Sequence, residues 1–168
     1  NRAMLGLVLF QAFLRSELTE LRVCDIDFES CSVFVQGQRR TNSRKLPLES
    51  FQVMHLYEYL NKYRREFLAI KKHQDLDRFF LSQGIGSRLD NSLGRVLKRL
   101  KSQFPQVKNL LHLRGSVISN WEKDEGIMEA MVKAGHRYVS STQRFQSTKY
   151  EELQDQLKSL HPLEKMQF

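Results

Sequence analysis

The hydrophobic residues of this chain recur mainly at the spacing of buried or amphipathic helices. From Met4 to Leu14 the residues are apolar almost all round, which predicts a buried helix. Ser16 can then cap a second, short helix that ends before Asp25. A long amphipathic helix is predicted from Glu49 or Ser50 onward. Its core-facing stripe consists of Val53, Leu56, Tyr57, Leu60 and Phe67.

The second half of the chain continues the helical pattern after a short interruption. Residues Arg78–Leu81 are a candidate strand, and the sequence GIGS that follows breaks the pattern. The next helix ends near Pro105, and the segments LLHLRGSVISNW and IMEAMVKAGH predict two more, the last with Gly135 as its C-cap. The tail Tyr150–Leu160 has a further apolar stripe, which we expect to pack in a groove of this domain or of a neighbouring protomer. The stripe before Pro105 consists of Leu89, Leu93, Val96, Leu97 and Leu100.

One stretch favours strands instead of helices. Ser32–Gln36 and Arg44–Leu48 are short strand-like runs separated by GQRRTNS, which is rich in turn residues and strongly basic. The whole pattern predicts a mainly α domain with a small antiparallel β-hairpin, an α+β fold spanning residues 1–168. The chain begins on an apolar helix without an initiating Met, so we expect it to be the C-terminal part of a longer protein whose N-terminal domain is missing.

The excess of basic over acidic residues favours binding partners that carry negative charge. Lys and Arg total 27 against 19 Asp and Glu, and the resulting formal net charge of +8 favours a polyanion such as nucleic acid. Cys24 and Cys31 are the only cysteines, and their spacing suggests neither a disulfide framework nor a zinc site. No apolar run approaches the roughly 18 residues of a membrane span. These features favour a cytoplasmic protein.

Three short motifs indicate a function through their order along the chain, although each of them alone is unspecific. They are LRGS at Leu113–Ser116, GH at Gly135–His136 and STQRF at Ser141–Phe145, whose last residue follows His136 by nine positions. A helix containing RSEL and a basic hairpin precede them. This order resembles the catalytic domain of tyrosine recombinases, the phage-integrase family, over nearly all of the chain.

The resemblance implies DNA strand exchange. In that family a tyrosine attacks a DNA phosphate and forms a 3′-phosphotyrosyl link while a 5′-hydroxyl leaves, assisted by two arginines, a lysine and two histidine-like groups. Guanidinium groups stabilise the negative charge that phosphoryl transfer spreads over the non-bridging oxygens. Because arginines can supply that stabilisation, neither a metal nor a small-molecule cofactor is expected.

The family's motifs fall unevenly on this chain. Arg114 matches the second arginine and His136 the late histidine. The tyrosine position holds Phe145, which lacks the nucleophilic hydroxyl. The first arginine position holds Leu14, and Arg15 stands one residue later, about 100° further round a helix.

Two further positions depart from the family pattern. The hairpin lysine matches Gln38, and the first histidine matches Leu111, with His112 one place along. Neighbouring cations of the hairpin can substitute for the missing lysine. The candidate catalytic residues are Arg114, His136, the nucleophile position Phe145, Arg15 and Lys45. The residues expected to contact DNA are Arg39, Arg40, Arg44, Lys45, Arg137 and Arg144.

Three classes of function are compatible with these residues. The first is a recombinase domain that acts as a homo-oligomer on double-stranded DNA in the bacterial cytoplasm and is inactive while Phe145 occupies the nucleophile position. The second is a pseudo-recombinase with an architectural or regulatory DNA-binding role. The third is a helical interaction scaffold without a nucleic-acid partner. Phe145 is either the residue of a degenerate recombinase or a substitution that blocks cleavage.

Overall fold

Helix α1 runs through the hydrophobic core and packs against two later helices. The protein is represented by a computed structural model that describes residues 2–70, 76–81 and 89–145. In chain order its elements are α1 Arg2–Gln11, α2 Arg15–Glu20, β1 Ile26–Asp27, β2 Ser32–Val35, β3 Arg44–Pro47, α3 Ser50–Glu58, α4 Arg64–Ile70, α5 Asp90–Gln103, α6 Leu110–Glu125, α7 Ile127–Ala134 and α8 Val139–Gln143. The mainly α fold with a small antiparallel sheet is as the sequence predicts.

Helix α1 is buried nearly all round, as its apolar sequence predicts. Leu5, Leu7 and Val8 are at most 1% exposed, and the helix contacts α3 and α6. It ends at Gln11, three residues before the predicted end at Leu14, because Ala12 adopts a left-handed conformation with φ 52°. The chain therefore turns at Ala12 and starts α2 in a new direction.

The hairpin is confirmed, and β1 adds a short third strand at the outer side of β2. The sheet has the order β1-β2-β3 with antiparallel pairing throughout, and Val35 of β2 pairs with Arg44 of β3. Side chains alternate between the two faces of a strand. Arg44 and Leu46 consequently point into the protein, while Lys45 between them is exposed.

The long helix predicted from residue 49 or 50 is present as α3 and α4, joined by a π-helical turn at Tyr59–Tyr63. Tyr57 was expected in its core stripe, and this expectation is wrong because Tyr57 is 58% exposed. Leu56 faces the core, and a neighbouring residue on a helix is rotated by about 100°. Tyr59 is the buried tyrosine instead, and its hydroxyl accepts a hydrogen bond from the Leu81 backbone N–H at 2.9 Å.

The candidate strand at Arg78–Leu81 is not a strand. It makes a single bridge to Arg22, with backbone hydrogen bonds on either side, and Phe79 and Phe80 are both buried. Helix α5 buries the predicted stripe, with Leu97 partly exposed. The tail Tyr150–Leu160 lies outside the described residues. Within the described ranges, no helix is long and apolar enough to cross a membrane.

Gly135 ends α7 and lets the hairpin approach it. The predicted C-cap is confirmed, since Gly135 has φ 70° in the left-handed region. The backbone N–H of Asn42 donates to its carbonyl at 2.8 Å. A Cβ on Gly135 would lie 2.9 Å from the Arg44 Nη1 and 2.9 Å from the Asn42 carbonyl oxygen. Both backbone conformation and space therefore call for glycine here.

We predict that Gly135→Ala destabilises the domain. A side chain in the left-handed conformation costs about 1–2 kcal/mol, and overpacking adds about 1–3 kcal/mol. Urea denaturation measures the loss of unfolding free energy. Gly94→Ala is the control, because Gly94 lies within α5 with nothing within 4 Å of an added Cβ, and this change should stabilise by about 0.5–1 kcal/mol. Equal stabilities of Gly135→Ala and the parent would contradict the steric account.

Candidate active site

A fully buried carboxylate, Glu17, lies at the centre of the site. It belongs to the first turn of α2, where its Oε2 accepts a hydrogen bond from the Leu14 backbone N–H at 2.8 Å. Arg44 donates two hydrogen bonds to this carboxylate, from Nη1 to Oε1 at 2.7 Å and from Nη2 to Oε2 at 2.9 Å. The two side chains are 0% and 2% exposed. Leu14, rather than the predicted Ser16, is therefore the N-cap of α2, and the Glu17 carboxylate binds its N–H.

Arg114 of α6 lies beside this pair and is held by two backbone carbonyls. Its Nη1 donates to the Ala12 carbonyl and lies 3.9 Å from Oε2 of Glu17. Its Nη2 donates to the Ala134 carbonyl at 2.7 Å. Ala12 directly follows α1 and Ala134 is the last residue of α7, so both carbonyls lie at helix C-termini, where backbone oxygens lack helical partners and carry partial negative charge. Two helix ends thus orient one buried guanidinium.

His136 is hydrogen-bonded on both ring nitrogens. Its Nε2 is 3.3 Å from Nη2 of Arg114, and its Nδ1 is 2.9 Å from Oγ1 of Thr142. A guanidinium can only donate, so Nε2 accepts and the ring proton belongs to Nδ1, which donates to Thr142. The contacts therefore select the neutral Nδ1–H tautomer of the imidazole.

Electrostatics agrees with a neutral His136 next to a charged Arg114. Burial, followed by the charges of Arg114 and Arg44, lowers the pKa of His136 to about 4. Burial also lowers the pKa of Arg114 to about 10, opposed by the favourable charge of Glu17. At neutral pH the arginine is consequently protonated and the imidazole is not.

Phe145 completes the arrangement. Its ring stacks on His136 with 5.9 Å between ring centroids and 16° between ring planes. It packs against a small cluster that contains Ala12 and Ala134, whose carbonyls hold Arg114. Helix α8, which carries Thr142, directs the chain from His136 to Phe145. Arg114, His136 and position 145 are therefore brought together, as the motif order predicts.

Comparison with curated proteins gives two matches of similar strength. The chain is 25% identical over 167 residues to tyrosine recombinase XerC of Oceanobacillus iheyensis, covering 96% of this chain and 53% of the relative. It is 25% identical over 168 residues to tyrosine recombinase XerC of Halalkalibacterium halodurans, covering 96% and 54%. No family model matches.

The chain is thus similar to tyrosine recombinases over nearly its whole length. Three solved structures share its fold. XerA recombinase matches with a TM-score of 0.68 and 20% identity, covering 95% of this chain and 57% of that chain. XerH recombinase bound to palindromic difH substrate gives 0.70 and 16%, with coverages of 94% and 44%. The Tn1549 transposon integrase in complex with transposon right end DNA gives 0.65 and 18%, with 95% and 58%. The chain spans about half the length of the curated relatives it matches.

Exposed cations surround the hairpin tip next to His136. Arg39 and Arg40 form the two-residue turn between Gln38 and Thr41. Thr41 pairs with His136, and Nη2 of the exposed Arg137 donates to the Gln38 carbonyl at 3.5 Å. Arg144 is also exposed, near the end of the described chain.

Other predicted site residues lie elsewhere. Arg44 is buried rather than exposed for contact with DNA, because strand alternation turns it inwards onto Glu17. Lys45 lies on the opposite, exposed face, where its charge adds to the hydrogen bonds from Ser30 that lower the pKa of Asp27. Arg15 is exposed at the first residue of α2.

Sequence reasoning did not identify Glu17, Thr142 or the inward Arg44 as parts of this site. The motif RSEL contains Glu17, and a lone acid beside basic residues was the available signal. His112, one place from the family's histidine position, is half-buried, and burial lowers its pKa. Within the part of the chain that the structure describes, no group of three His, Cys, Asp or Glu side chains could hold a metal ion.

We predict that acidification destabilises the folded domain through His136. Its folded pKa of about 4 lies below the ordinary histidine pKa of 6.5, so between these values the unfolded chain binds more protons. The stabilising contribution is complete above about pH 6.5 and is lost as the pH falls toward 4. Urea titrations at pH 7 and pH 5 should show a smaller pH effect in His136→Gln than in the parent. The same pH effect in both proteins would contradict this assignment.

Proposed function

We propose that the chain is the catalytic-domain part of a site-specific recombinase that binds double-stranded DNA with Arg114 and His136 facing the phosphate to be exchanged. The observation that carries the proposal is the convergence of Arg114, His136 and Phe145 in one centre. Its similarity to tyrosine recombinases supports the reaction type.

The chemistry of the centre fits phosphoryl transfer. A protonated Arg114 can stabilise the charge that develops on the non-bridging phosphate oxygens. In the family reaction, the tyrosine oxygen forms a bond to phosphorus as the bond to the 5′-oxygen breaks, and that oxygen takes up a proton. Phe145 has the ring but no oxygen, so this chain cannot form that link at position 145. We therefore propose that it binds DNA without cleaving it.

DNA binding is supported by the charge of the chain and by the place of its exposed cations. The formal net charge is +8, and Arg39, Arg40 and Arg137 are exposed beside the His136 motif. Solved relatives of similar fold, XerH and the Tn1549 integrase, are bound to DNA. We propose that Arg144 and Lys45 also contact phosphates. Action as a homo-oligomer on paired sites in the bacterial cytoplasm is part of the same proposal.

A second candidate function is a pseudo-recombinase with an architectural or regulatory role. It is favoured by Phe145 together with the departures at Leu14, Gln38 and Leu111 from the family pattern. The intact arrangement of Arg114 and His136 favours the first candidate. The two candidates differ in whether a hydroxyl at position 145 suffices to restore cleavage.

We predict that DNA affinity falls steeply with salt. Neutralising each phosphate releases counterions, so log K should fall with log salt by about 0.9 per contact. Arg39→Gln combined with Arg40→Gln should reduce that slope by about two. Lys101→Gln, an exposed cation of α5 outside the hairpin, is the control and should change the slope little. A flat salt dependence of the parent would favour the interaction scaffold without a nucleic-acid partner.

We predict that Phe145→Tyr restores covalent attachment to a cognate nicked or suicide DNA substrate. Adding Arg114→Ala should abolish it, because loss of a guanidinium in phosphoryl transfer commonly costs on the order of a thousandfold in rate or more. A denaturing gel with labelled DNA detects protein that migrates with the strand. Tight binding by Phe145→Tyr without any adduct after long incubation would support the pseudo-recombinase instead.

A further inference from the structure

The buried charges around Arg114 do not balance. Glu17 supplies one negative charge, Arg44 and Arg114 supply two positive charges, and His136 is neutral above its pKa of about 4. Among the described residues, moreover, Nε of the buried Arg44 has no hydrogen-bond partner. A buried cluster with one excess positive charge favours a bound anion, since unpaired buried charges are costly.

The source of the second guanidinium departs from the family pattern. Leu14 stands where that pattern has an arginine, and only its backbone N–H reaches Glu17. The guanidinium that meets Glu17 comes from Arg44, 27 residues away on β3. The guanidinium beside the carboxylate thus comes from the hairpin.

Glu17 transmits the position of Arg44 to Arg114. Both carboxylate oxygens are bound by the Arg44 fork, which fixes the plane of the carboxylate. The oxygen that accepts from Nη2 of Arg44, Oε2, is also the one that lies 3.9 Å from Nη1 of Arg114. Gly135 leaves space for Arg44, since a Cβ there would lie 2.9 Å from its Nη1. Arg44 is therefore wedged between Glu17 and the residue that precedes His136.

We propose that Arg44 is a positioning residue of the Arg114–His136 centre, which orients Arg114 through Glu17. The expected effect of Arg44 on DNA strand exchange rests on the proposed function, whereas its expected effect on the His136 imidazole does not. Arg44 itself stays buried and does not contact the phosphate.

One double variant separates positioning from charge. Glu17→Gln with Arg44→Met removes one negative and one positive charge, so the net charge of the cluster is unchanged. Arg44→Met alone would leave the buried Glu17 carboxylate unpaired at a large cost in stability, and the double variant avoids this. Arg44→Lys keeps the charge and loses the two-pronged contact. Lys45→Met, on the exposed face of the same strand, is the control for His136 titration.

The first measurement is NMR titration of the His136 imidazole without DNA. In the double variant we expect its titration midpoint to rise by about one pH unit and the Nδ1–H tautomer to be less populated, because Arg114 no longer holds Nε2. The titrating groups that face His136 are Arg114 of α6, Glu17 of α2 and Arg44 of β3. Lys45→Met should leave the midpoint unchanged. A parental midpoint and tautomer in the folded double variant would overturn the proposal.

The second measurement is the rate of covalent adduct formation in the Phe145→Tyr background. The double variant should form adduct at least about tenfold more slowly while its DNA affinity is unchanged, since a small misplacement of a catalytic group is costly. An unchanged rate overturns the positioning role. A shifted imidazole with no adduct from any Phe145→Tyr protein upholds positioning and refutes strand exchange. If the double variant does not fold, Arg44→Lys decides by the same two measurements, and parental values for both overturn the proposal.

Discussion

The buried carboxylate of Glu17 is the constraint on which the site depends. A carboxylate without solvent is destabilising by several kcal/mol unless charged and polar groups surround it. Its partners are the Leu14 N–H at the start of α2 and Arg44 of β3, with Arg114 of α6 close by. Because these groups belong to three elements, the carboxylate is satisfied only when the helices and the hairpin are assembled. Folding and construction of the site are thus one event.

Backbone carbonyls at the C-terminal ends of two helices also hold Arg114. The left-handed turn at Ala12 and the C-cap at Gly135 leave the Ala12 and Ala134 carbonyls pointing at one guanidinium. Backbone carbonyls carry only partial charge, so they orient the arginine without neutralising it. The cluster therefore keeps its excess positive charge. His136 is neutral and hydrogen-bonded to Arg114, so it contributes a polar group to the cluster and no further positive charge.

The two faces of strand β3 divide its cations between structure and surface. Arg44 turns inward to Glu17, whereas Lys45 turns outward, and the tip carries Arg39 and Arg40 into solvent. The backbone pairing of Thr41 with His136 ties this basic tip to the buried centre. Exposed positive charge at the hairpin tip and buried positive charge around Glu17 therefore occupy adjacent but distinct positions. Under the proposed function, the exposed charge would attract DNA and the buried charge would orient a phosphate.

The sequence by itself determined the features that depend on local periodicity and turn chemistry: the buried α1, the hairpin, the stripe of α5 and the Gly135 cap. Motif order and spacing also predicted that Arg114, His136 and position 145 would meet. Tertiary structure decided the rest. The exposed Tyr57, the N-cap at Leu14 and the single bridge at Arg78 follow from how elements pack, and propensity does not encode packing. The same holds for the Glu17–Arg44 pair, because strand register and burial select which of several neighbouring cations turns inward. Register and burial are themselves settled only by contacts between residues that are distant in sequence.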